Sequence, residues 1–265
     1  MKSILFGAII GDIVGSRFEF NNHRSKDFEL FHRRCFITDD SIMTLAVANA
    51  VAECIDDKGN LSTATIKWMQ ELGRPYPNCG FGGSFFRWIY SNNPQPYNSF
   101  GNGAAMRVSA CGLLGRSLDE AKELSKLVTE VSHDHPEGIK GAEATAVCVY
   151  LAKSGTSKAE IRKYVNQNYY SLDFTIDEIR STYAFNETCQ ETVPQAIEAF
   201  LESENFEDAI RVAISVGGDS DTLAAITGAI AEAFYGIPEP LAKEAWAYFD
   251  DRLKNAYERF ISKIK

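Results

Sequence analysis

The sequence lacks long hydrophobic runs and is short of positive charge. Its 265 residues include 27 Lys and Arg against 36 Asp and Glu, which gives a formal net charge of −9. Proteins that coat nucleic acids need clustered Lys and Arg, so that class is disfavoured. A membrane span needs about 18 consecutive apolar residues, whereas Asp12 soon interrupts the apolar stretch 4–10. We expect no membrane partner, and we interpret that stretch as a core helix, not as a targeting segment.

Paired cysteines are missing as well. The six cysteines are scattered without any Cys-x-x-Cys pair, at positions 35, 54, 79, 111, 148 and 189. Several lie inside apolar helical patterns, as Cys148 does. Buried free thiols in a reducing compartment explain this distribution better than disulfide bonds or a zinc site. We therefore expect a cytoplasmic protein.

Strand-like alternation is scarce, and helical periodicity takes its place. Leu223, Ile226 and Ile230 recur at helical spacing on one face. Residues 42–55 are apolar around most of the helix circumference, which is typical of a central buried helix. We predict an all-α fold, a single globular multi-helix domain over residues 1–265. Further helices are predicted near 3–15, 62–72, 80–91, 103–115, 117–131, 137–153, 157–166, 190–201, 205–215 and 239–262.

Two connections are rich in helix breakers. Residues 73–78 contain two prolines and a glycine, and residues 91–103 form a long polar stretch without periodicity. Long ordered loops in compact domains are often functional. Neither segment has the composition of a flexible linker between domains, which agrees with a single domain.

Two short acidic clusters contain most of the functional information. They are Thr-Asp-Asp-Ser at 38–41 and Asp-Ser-Asp-Thr at 219–222, and each directly precedes a long apolar helical segment. One interpretation is helix capping, because Thr, Ser and Asp are preferred at N-caps and acids suit the first turn. Capping needs only one or two of these side chains, however, and carboxylates near a core are unfavourable unless they are paired or bind a metal. Oxygen-only groups of this kind favour Mg²⁺ or Mn²⁺, and a pair of ions about 4 Å apart would satisfy them.

A third segment, residues 7–20, combines glycines with acids. Glycines four residues apart, at 7, 11 and 15, let two helices approach closely, and we accept this packing explanation for them. Asp12 and Glu19 are acids in an otherwise apolar context. Glu19, which follows the predicted helix, is a candidate metal ligand or general base.

Two further segments contain polar candidates. Residues 98–107 join the polar loop to a predicted helix, and free amide groups at a helix N-terminus suit a phosphate. This segment lacks a Walker Lys-Ser/Thr and follows no predicted strand, so it is neither a P-loop nor a Rossmann turn. Residues 132–138 contain His133 and His135, two of the four histidines. A zinc site would need a third soft ligand that is not evident, so a turn between helices is an alternative.

These segments, in this order, resemble the ADP-ribosylglycohydrolase family, which includes hydrolases that remove ADP-ribose from arginine on dinitrogen reductase. The matching motifs span nearly the whole chain. They are Gly11-Asp12-x-x-Gly15-x-x-x-Glu19, Thr38-Asp39-Asp40-Ser41-x-Met43-Thr44-Leu45, Gly101-Asn102-Gly103-Ala104-x-Met106-Arg107, Ser132-His133-x-His135-Pro136 and Gly217-Gly218-Asp219-Ser220-Asp221-Thr222.

The resemblance implies a single all-α domain with a central dinuclear metal site. It implies two Mg²⁺ or Mn²⁺ ions held by Thr38, Asp39, Asp40, Asp219, Asp221 and Thr222, with Glu19 at the edge. ADP-ribose would contact Ser99, Phe100, Gly101, Asn102, Gly103 and His133. Phe100 stands where relatives often have Tyr, and Ser41 replaces a frequent Thr. The chain is shorter than many relatives, which leaves the choice of substrate open.

The implied activity is hydrolysis of the glycosidic bond between ADP-ribose and an acceptor, most directly the guanidino group of ADP-ribosylated arginine on a protein or small molecule. Glu19, Asp39 or Asp40 would deprotonate the water, and ADP-ribose would be the product. One alternative is the same reaction on serine, a small guanidine or a nucleic-acid base. Another is a non-catalytic ADP-ribose-binding or structural protein on the same scaffold, and a third is an unrelated metal-dependent phosphohydrolase.

Overall fold

A computed structural model describes residues 4–264, and its fold is all-α. Among these residues there are fourteen α-helices, two short 3-10 turns and no strand, apart from one isolated bridge between Gly101 and Thr188. The helices are α1 Phe6–Gly15, α2 Asp39–Cys54, α3 Leu61–Gly73, α4 Gly83–Tyr90, α5 Ser109–Leu114, α6 Leu118–Thr129, α7 Pro136–Lys153, α8 Lys158–Asn168, α9 Ile176–Ile179, α10 Cys189–Glu202, α11 Phe206–Val216, α12 Ser220–Tyr235, α13 Glu239–Trp246 and α14 Asp251–Lys263. The 3-10 turns are Lys58–Asn60 and Asn102–Ala104.

Helices α1 and α12 pack against each other at the centre. A Cβ atom at Gly7 would overlap the Gly228 carbonyl, and one at Gly11 would overlap the Ala224 carbonyl. A Cβ at Gly15 would meet the backbone of Asp221. The order of these contacts makes the two helices antiparallel, and it brings the C-terminal end of α1 to the N-terminal end of α12.

Helix α2 is the second central element, as its all-round apolar pattern predicts. Every residue of it is buried except Asp39 and Glu53. It packs against α3, α5 and α14, and its N-terminus approaches the end of α1. The beginnings of α2 and α12 therefore meet at the same end of α1, which is how two distant acidic segments converge.

The structure differs from two of the predicted helices. The predicted helix 103–115 is wrong as a single element, because a 3-10 turn covers 102–104 and α5 begins only at Ser109. The predicted helix 239–262 is divided into α13 and α14, with Asp250 as the N-cap of α14, where its side chain accepts from the Leu253 amide at 2.9 Å. In both places the apolar spacing continues through a turn, so periodicity alone does not detect the break.

The cysteines and the absence of long apolar helices agree with expectation. All six cysteines are free thiols, and five of them are buried. Within residues 4–264, no helix has both the length and the apolar character needed to cross a bilayer.

Candidate active site

A cleft opens where the end of α1 meets the beginnings of α2 and α12. Its cavity has a volume of about 260 Å³. Eleven of the thirteen residues that the sequence assigned to a site line it, and Thr38 and Phe100 do not. The lining residues are Glu19, Asp39, Asp40, Gly80, Gly82, Gly83, Ser84, Phe85, Ser99, Gly101, Asn102, Gly103, Met106, Arg107, His133, Glu187, Asp219, Asp221 and Thr222.

The first acidic cluster is held in place by Asp12. Thr38 is the N-cap of α2 and accepts from the Asp40 amide at 3.2 Å. The fully buried Asp12 carboxylate accepts from the Thr38 hydroxyl at 2.7 Å, from the Thr38 and Ser41 amides at 3.1 Å each, and from the Ser41 hydroxyl. Because Thr38 and Asp12 provide the capping, the carboxylates of Asp39 and Asp40 are free to face the cleft. The capping interpretation is therefore correct for Thr38 only.

The second acidic cluster begins α12 without capping it through a side chain. Asp219 occupies the N-cap position but makes no side-chain cap bond, and it accepts from the Asn102 amide group at 2.7 Å. Gly217 and Gly218 before it have φ values of 80° and 72°, which favour glycine. The Asn22 side chain bonds both the N–H and the C=O of Gly218, at 2.8 and 2.9 Å. This turn directs Asp219 and Asp221 into the cleft.

Glu19 lies in the loop that follows α1 and completes the acidic group. One carboxylate oxygen each from Glu19, Asp219 and Asp221 lie within 4.8 Å of one another. The Arg24 guanidinium, from the same loop, donates to the carbonyls of Val216 at 2.8 Å and Tyr183 at 2.5 Å. Those bonds fix the loop against the turn before α12, so the position of Glu19 depends on tertiary contacts.

Electrostatics at this site disfavour the negative charges that the sequence concentrates there. Burial raises the pKa of Asp39 to about 8 and that of Glu19 to about 7. Burial, followed by repulsion from neighbouring carboxylates, also raises the pKa of Asp40 and Asp221 well above the ordinary value. The group is thus unfavourable without a positive partner.

The donor set fits hard divalent cations. Among residues 4–264, none of these five carboxylates forms an ion pair with Lys or Arg. Asp40 Oδ1 is buried and has no hydrogen-bond partner, while Asp40 Oδ2 lies 3.3 Å from the Thr222 hydroxyl. Carboxylates and threonine hydroxyls that lack a protein cation are ligands suited to Mg²⁺ or Mn²⁺.

The polar loop 91–103 reaches the cleft, and two of its backbone amide groups are occupied by other residues. The Gly101 amide donates to the Ser99 hydroxyl at 3.2 Å, and the Asn102 amide donates to the Glu187 carbonyl at 2.8 Å. The expected free amides of a long helix N-terminus are therefore absent at these two positions, since only a 3-10 turn follows. Phe100 is 40% exposed, with its ring 5.0 Å from that of His135.

The two histidines have different roles. His135 is the N-cap of α7, and its Nδ1 accepts from the Glu137 amide at 3.1 Å, as a turn between helices requires. His133 is buried and lines the cleft. Burial, followed by repulsion from Arg107, lowers the pKa of His133 well below its ordinary value, so its ring is neutral.

Sequence reasoning missed four residues of the site. The sequence shows Asp12 as an acid in an apolar context, but it does not reveal that Asp12 anchors α2. Glu187 and Phe85 line the cleft from segments without a recognisable motif. Arg107 ends one of the motifs that carry the family resemblance, but the sequence alone assigns it no function. Its position after a run of mostly small residues is the one local signal that points to a special role.

Comparisons with known proteins agree with this geometry. The sequence model of the ADP-ribosylglycohydrolase family matches residues 1–263. ADP-ribosylhydrolase ARH3 of Mus musculus is 24% identical, over 92% of this chain and 85% of that protein. ADP-ribosylarginine hydrolase Tri1 of Pseudomonas putida (strain GB-1) is 27% identical, over 95% of this chain and 76% of that protein. A solved structure described as an ADP-ribosylglycohydrolase-related protein complex superposes with a TM-score of 0.69 at 19% identity, covering 97% of this chain and 96% of that one, which shows the same fold.

Proposed function

The chain belongs to the ADP-ribosylglycohydrolase family, and from that membership we propose that it hydrolyses the bond between ADP-ribose and the guanidino group of arginine with the help of divalent cations. The observation that most directly supports the proposal is the convergence of Glu19 with buried aspartates that have no Lys or Arg partner within the described part of the chain. Such a group has no role in folding that caps or ion pairs would explain.

The ligand set proposed for the cations follows the sequence prediction. Two Mg²⁺ or Mn²⁺ ions would be held by Thr38, Asp39, Asp40, Asp219, Asp221 and Thr222. When bound, such ions supply Lewis-acid stabilisation of oxygen atoms and neutralise the carboxylates. The Asn102 side-chain Nδ2, which donates to Asp219 Oδ2 at 2.7 Å, keeps that carboxylate in position.

We assign the general base to Glu19. Glu19 and Asp39 are the two carboxylates of the group that stay in contact with solvent. Asp39 belongs to the ligand set proposed for the cations, which would occupy its oxygens, so Glu19 is the better proton acceptor. Glu19 would take the proton of the water that attacks the anomeric carbon of the distal ribose. The bond to the guanidino nitrogen breaks, and the departing guanidine takes up a proton.

The rim of the cleft supports an arginine acceptor. Glu19 and Glu187 place two carboxylates there. Beside them in the chain, Phe20 and Phe185 are 85% and 42% exposed and stack at 5.9 Å between ring centroids. A guanidinium pairs with carboxylates and stacks on aromatic rings, whereas a serine hydroxyl needs neither. The relative Tri1, named as an ADP-ribosylarginine hydrolase, supports the same acceptor.

Two alternatives remain distinct from this proposal. One is the same reaction on a serine, small-guanidine or base linkage, and the name of the relative ARH3, an ADP-ribosylhydrolase, specifies no acceptor. A non-catalytic ADP-ribose-binding protein is disfavoured, because binding alone does not need a group of acids with strongly raised pKa values.

A panel assay tests the proposal. The purified chain is mixed with Mg²⁺ or Mn²⁺ and with arginine-, serine- or base-linked ADP-ribose, and free ADP-ribose is measured. We expect release from arginine-linked ADP-ribose and loss of that release with a chelator. Release from serine alone would overturn the acceptor assignment, and release from none would favour the binding protein. Phosphate released from free nucleotides would instead indicate a phosphohydrolase.

The acceptor assignment has its own variants. Phe20→Ala and Phe185→Ala should each raise KM for ADP-ribosylarginine by about 3- to 10-fold, because cation–π contacts contribute about 0.5–2 kcal/mol. The matched control is Phe86→Ala, which removes another exposed phenyl outside the cleft lining. An equal KM in all four proteins would show that the aromatic pair takes no part in recognising the acceptor.

A further inference from the structure

Arg107 is a buried cation that pairs with no carboxylate of the described residues. Its side chain is fully buried and lines the cleft. Within residues 4–264 it forms no ion pair with a carboxylate, and its Nε has no hydrogen-bond partner. The ring of Phe85 lies 5.2 Å from its Cζ. Burying an unpaired guanidinium is unfavourable, so packing alone does not explain its presence.

The hydrogen bonds of Arg107 converge on one ring nitrogen. Its Nη2 donates to the Ser132 hydroxyl at 2.8 Å and lies 3.3 Å from His133 Nδ1. The Ser132 Oγ is itself 2.9 Å from the same Nδ1. A guanidinium has donors only, so it can satisfy Nδ1 only if Nδ1 is an acceptor. The serine hydroxyl, which accepts from Arg107, then donates its own proton to Nδ1.

The proton of a neutral His133 ring must therefore be on Nε2, and Nε2 borders the cleft. A Cβ atom at Gly101 would lie 3.6 Å from His133 Nε2, and one at Gly103 would lie 3.7 Å from it. The two glycines leave the space beside the N–H open. Burial and the positive charge of Arg107 both keep the ring neutral, which preserves one acceptor and one donor.

We propose that Arg107 is a positioning residue that, with Ser132, locks His133 in the tautomer whose Nε2–H donates to a diphosphate oxygen of bound ADP-ribose. The proposal rests on the proposed function for the identity of the ligand. Among the described residues of the lining, the carboxylates offer only acceptors when ionised, whereas the His133 Nε2–H is a donor beside an open space. A diphosphate oxygen, which accepts only, is therefore suited to the His133 ring and not to the carboxylates.

Ring nitrogen shifts test the tautomer without any ligand. In protein labelled with ¹⁵N-histidine, we expect His133 to show a protonated Nε2 and an unprotonated Nδ1 that do not titrate across neutral pH. Arg107→Met should produce a mixture of tautomers, and Arg107→Lys, which keeps a charged donor, should restore part of the original signal. A wild-type ring protonated on Nδ1 would overturn the proposal even if the protein proves to be a hydrolase.

Binding of ADP-ribose tests whether Arg107 acts through His133. Calorimetry should show about tenfold weaker binding for Arg107→Met, the loss of one well-placed hydrogen bond to a charged group. In the double variant Arg107→Met/His133→Ala, the dissociation constant should equal that of His133→Ala alone. Additive losses would mean that Arg107 contributes independently and would overturn the proposal.

Two variants protect the test against unfolding. Ser132→Ala removes a donor to Nδ1 and leaves the guanidinium, so it should shift the tautomer signal even if Arg107→Met fails to fold. Arg116→Met, which removes an exposed arginine paired with Asp56, is the matched control and should leave shifts and binding unchanged. If wild-type protein binds no ADP-ribose, the proposed function fails, while the ring shifts still decide the tautomer.

Discussion

The α1–α12 pair has a buried acidic region at each end, and the two regions differ in how their charge is satisfied. At one end, Glu232 of α12 is a single buried carboxyl that accepts from the Gly7 amide at 2.7 Å, in the first turn of α1. At the other end, Asp12 of α1 and Asp219 and Asp221 of α12 lie among further carboxylates, and no Lys or Arg between residues 4 and 264 pairs with them. A lone acid at a helix N-terminus is a structural cap.

The acidic cluster exceeds what a cap can use. Asp12 resembles Glu232, because backbone and hydroxyl donors satisfy it. Asp40 has a buried oxygen with no hydrogen-bond partner among residues 4–264, and carboxylate oxygens of Asp219 and Asp221 lie within 4.8 Å of each other and of Glu19. Burial raises the pKa of Glu232 to about 8 and that of Asp39 also to about 8. The pKa values therefore do not distinguish the regions. The distinction lies in the number of carboxylates and in their unsatisfied oxygens.

The largest effect is expected from removing the second cluster. Asp219→Ala combined with Asp221→Ala should reduce ADP-ribose release by about 1,000-fold or more, because the cation-dependent stabilisation of charge is lost. It should also abolish the rise in melting temperature on adding Mg²⁺ or Mn²⁺. Retained turnover, measured with the arginine-linked substrate, would reject the two-cation scheme.

A substitution at Gly11, which lies in α1 between the two regions, should lower the free energy of unfolding of the protein. Gly11→Ala places a methyl group against the Ala224 carbonyl, where there is no space. Overpacking of this kind costs about 3 kcal/mol of unfolding free energy, which denaturant titration measures. The matched control is Gly82→Ala, because a Cβ atom at Gly82 would meet no atom within 4 Å. Gly155→Ala is less suitable, because the φ of 78° at that position strains any residue other than glycine. Equal stability of Gly11→Ala and Gly82→Ala would mean that the helices are not in close contact.

Added metal should change how the melting temperature depends on pH, through the acidic cluster and not through Glu232. A carboxyl whose folded pKa is raised contributes stability that is present below its unfolded pKa and is lost as pH rises through the folded value. For Asp39 that window runs from 3.8 to about 8. Without metal, the melting temperature should fall across this window. With saturating Mg²⁺ the fall should be smaller, because cations favour the deprotonated carboxylates. A metal effect that does not grow with pH would contradict this scheme.

The smallest effect is expected at the structural end. Glu232→Gln keeps an acceptor for the Gly7 amide, so at acidic pH, where Glu232 is protonated, the melting temperature should shift by only a few degrees. As pH rises from 4.5 to about 8, the wild type should lose stability relative to this variant. ADP-ribose release should stay unchanged. Reduced metal binding in Glu232→Gln would break the comparison, because it would make this end part of the site.

The sequence predicted the helical fold and most residues of the cleft. The apolar period of α2 and the glycine spacing in α1 have local causes, and the structure confirms both. The helix prediction from sequence failed at residues 105–108 and 247–250, where apolar spacing continues through a turn. It also interpreted the turn at Asn102 as the start of a helix with free amide groups. Turns of this kind depend on partners such as the Glu187 carbonyl, which are remote in sequence.

By itself the sequence determined the chemistry: which oxygen-bearing side chains precede which buried helices, and the all-α class, because helical period and helix-terminal residues are local properties. Tertiary structure decided which carboxylates are free. Asp12 accepts from the first turn of α2, and Glu232 accepts from the first turn of α1. The remaining aspartates face one cleft, namely Asp39, Asp40, Asp219 and Asp221. Helix packing decides this, because it sets which donors reach each buried acid.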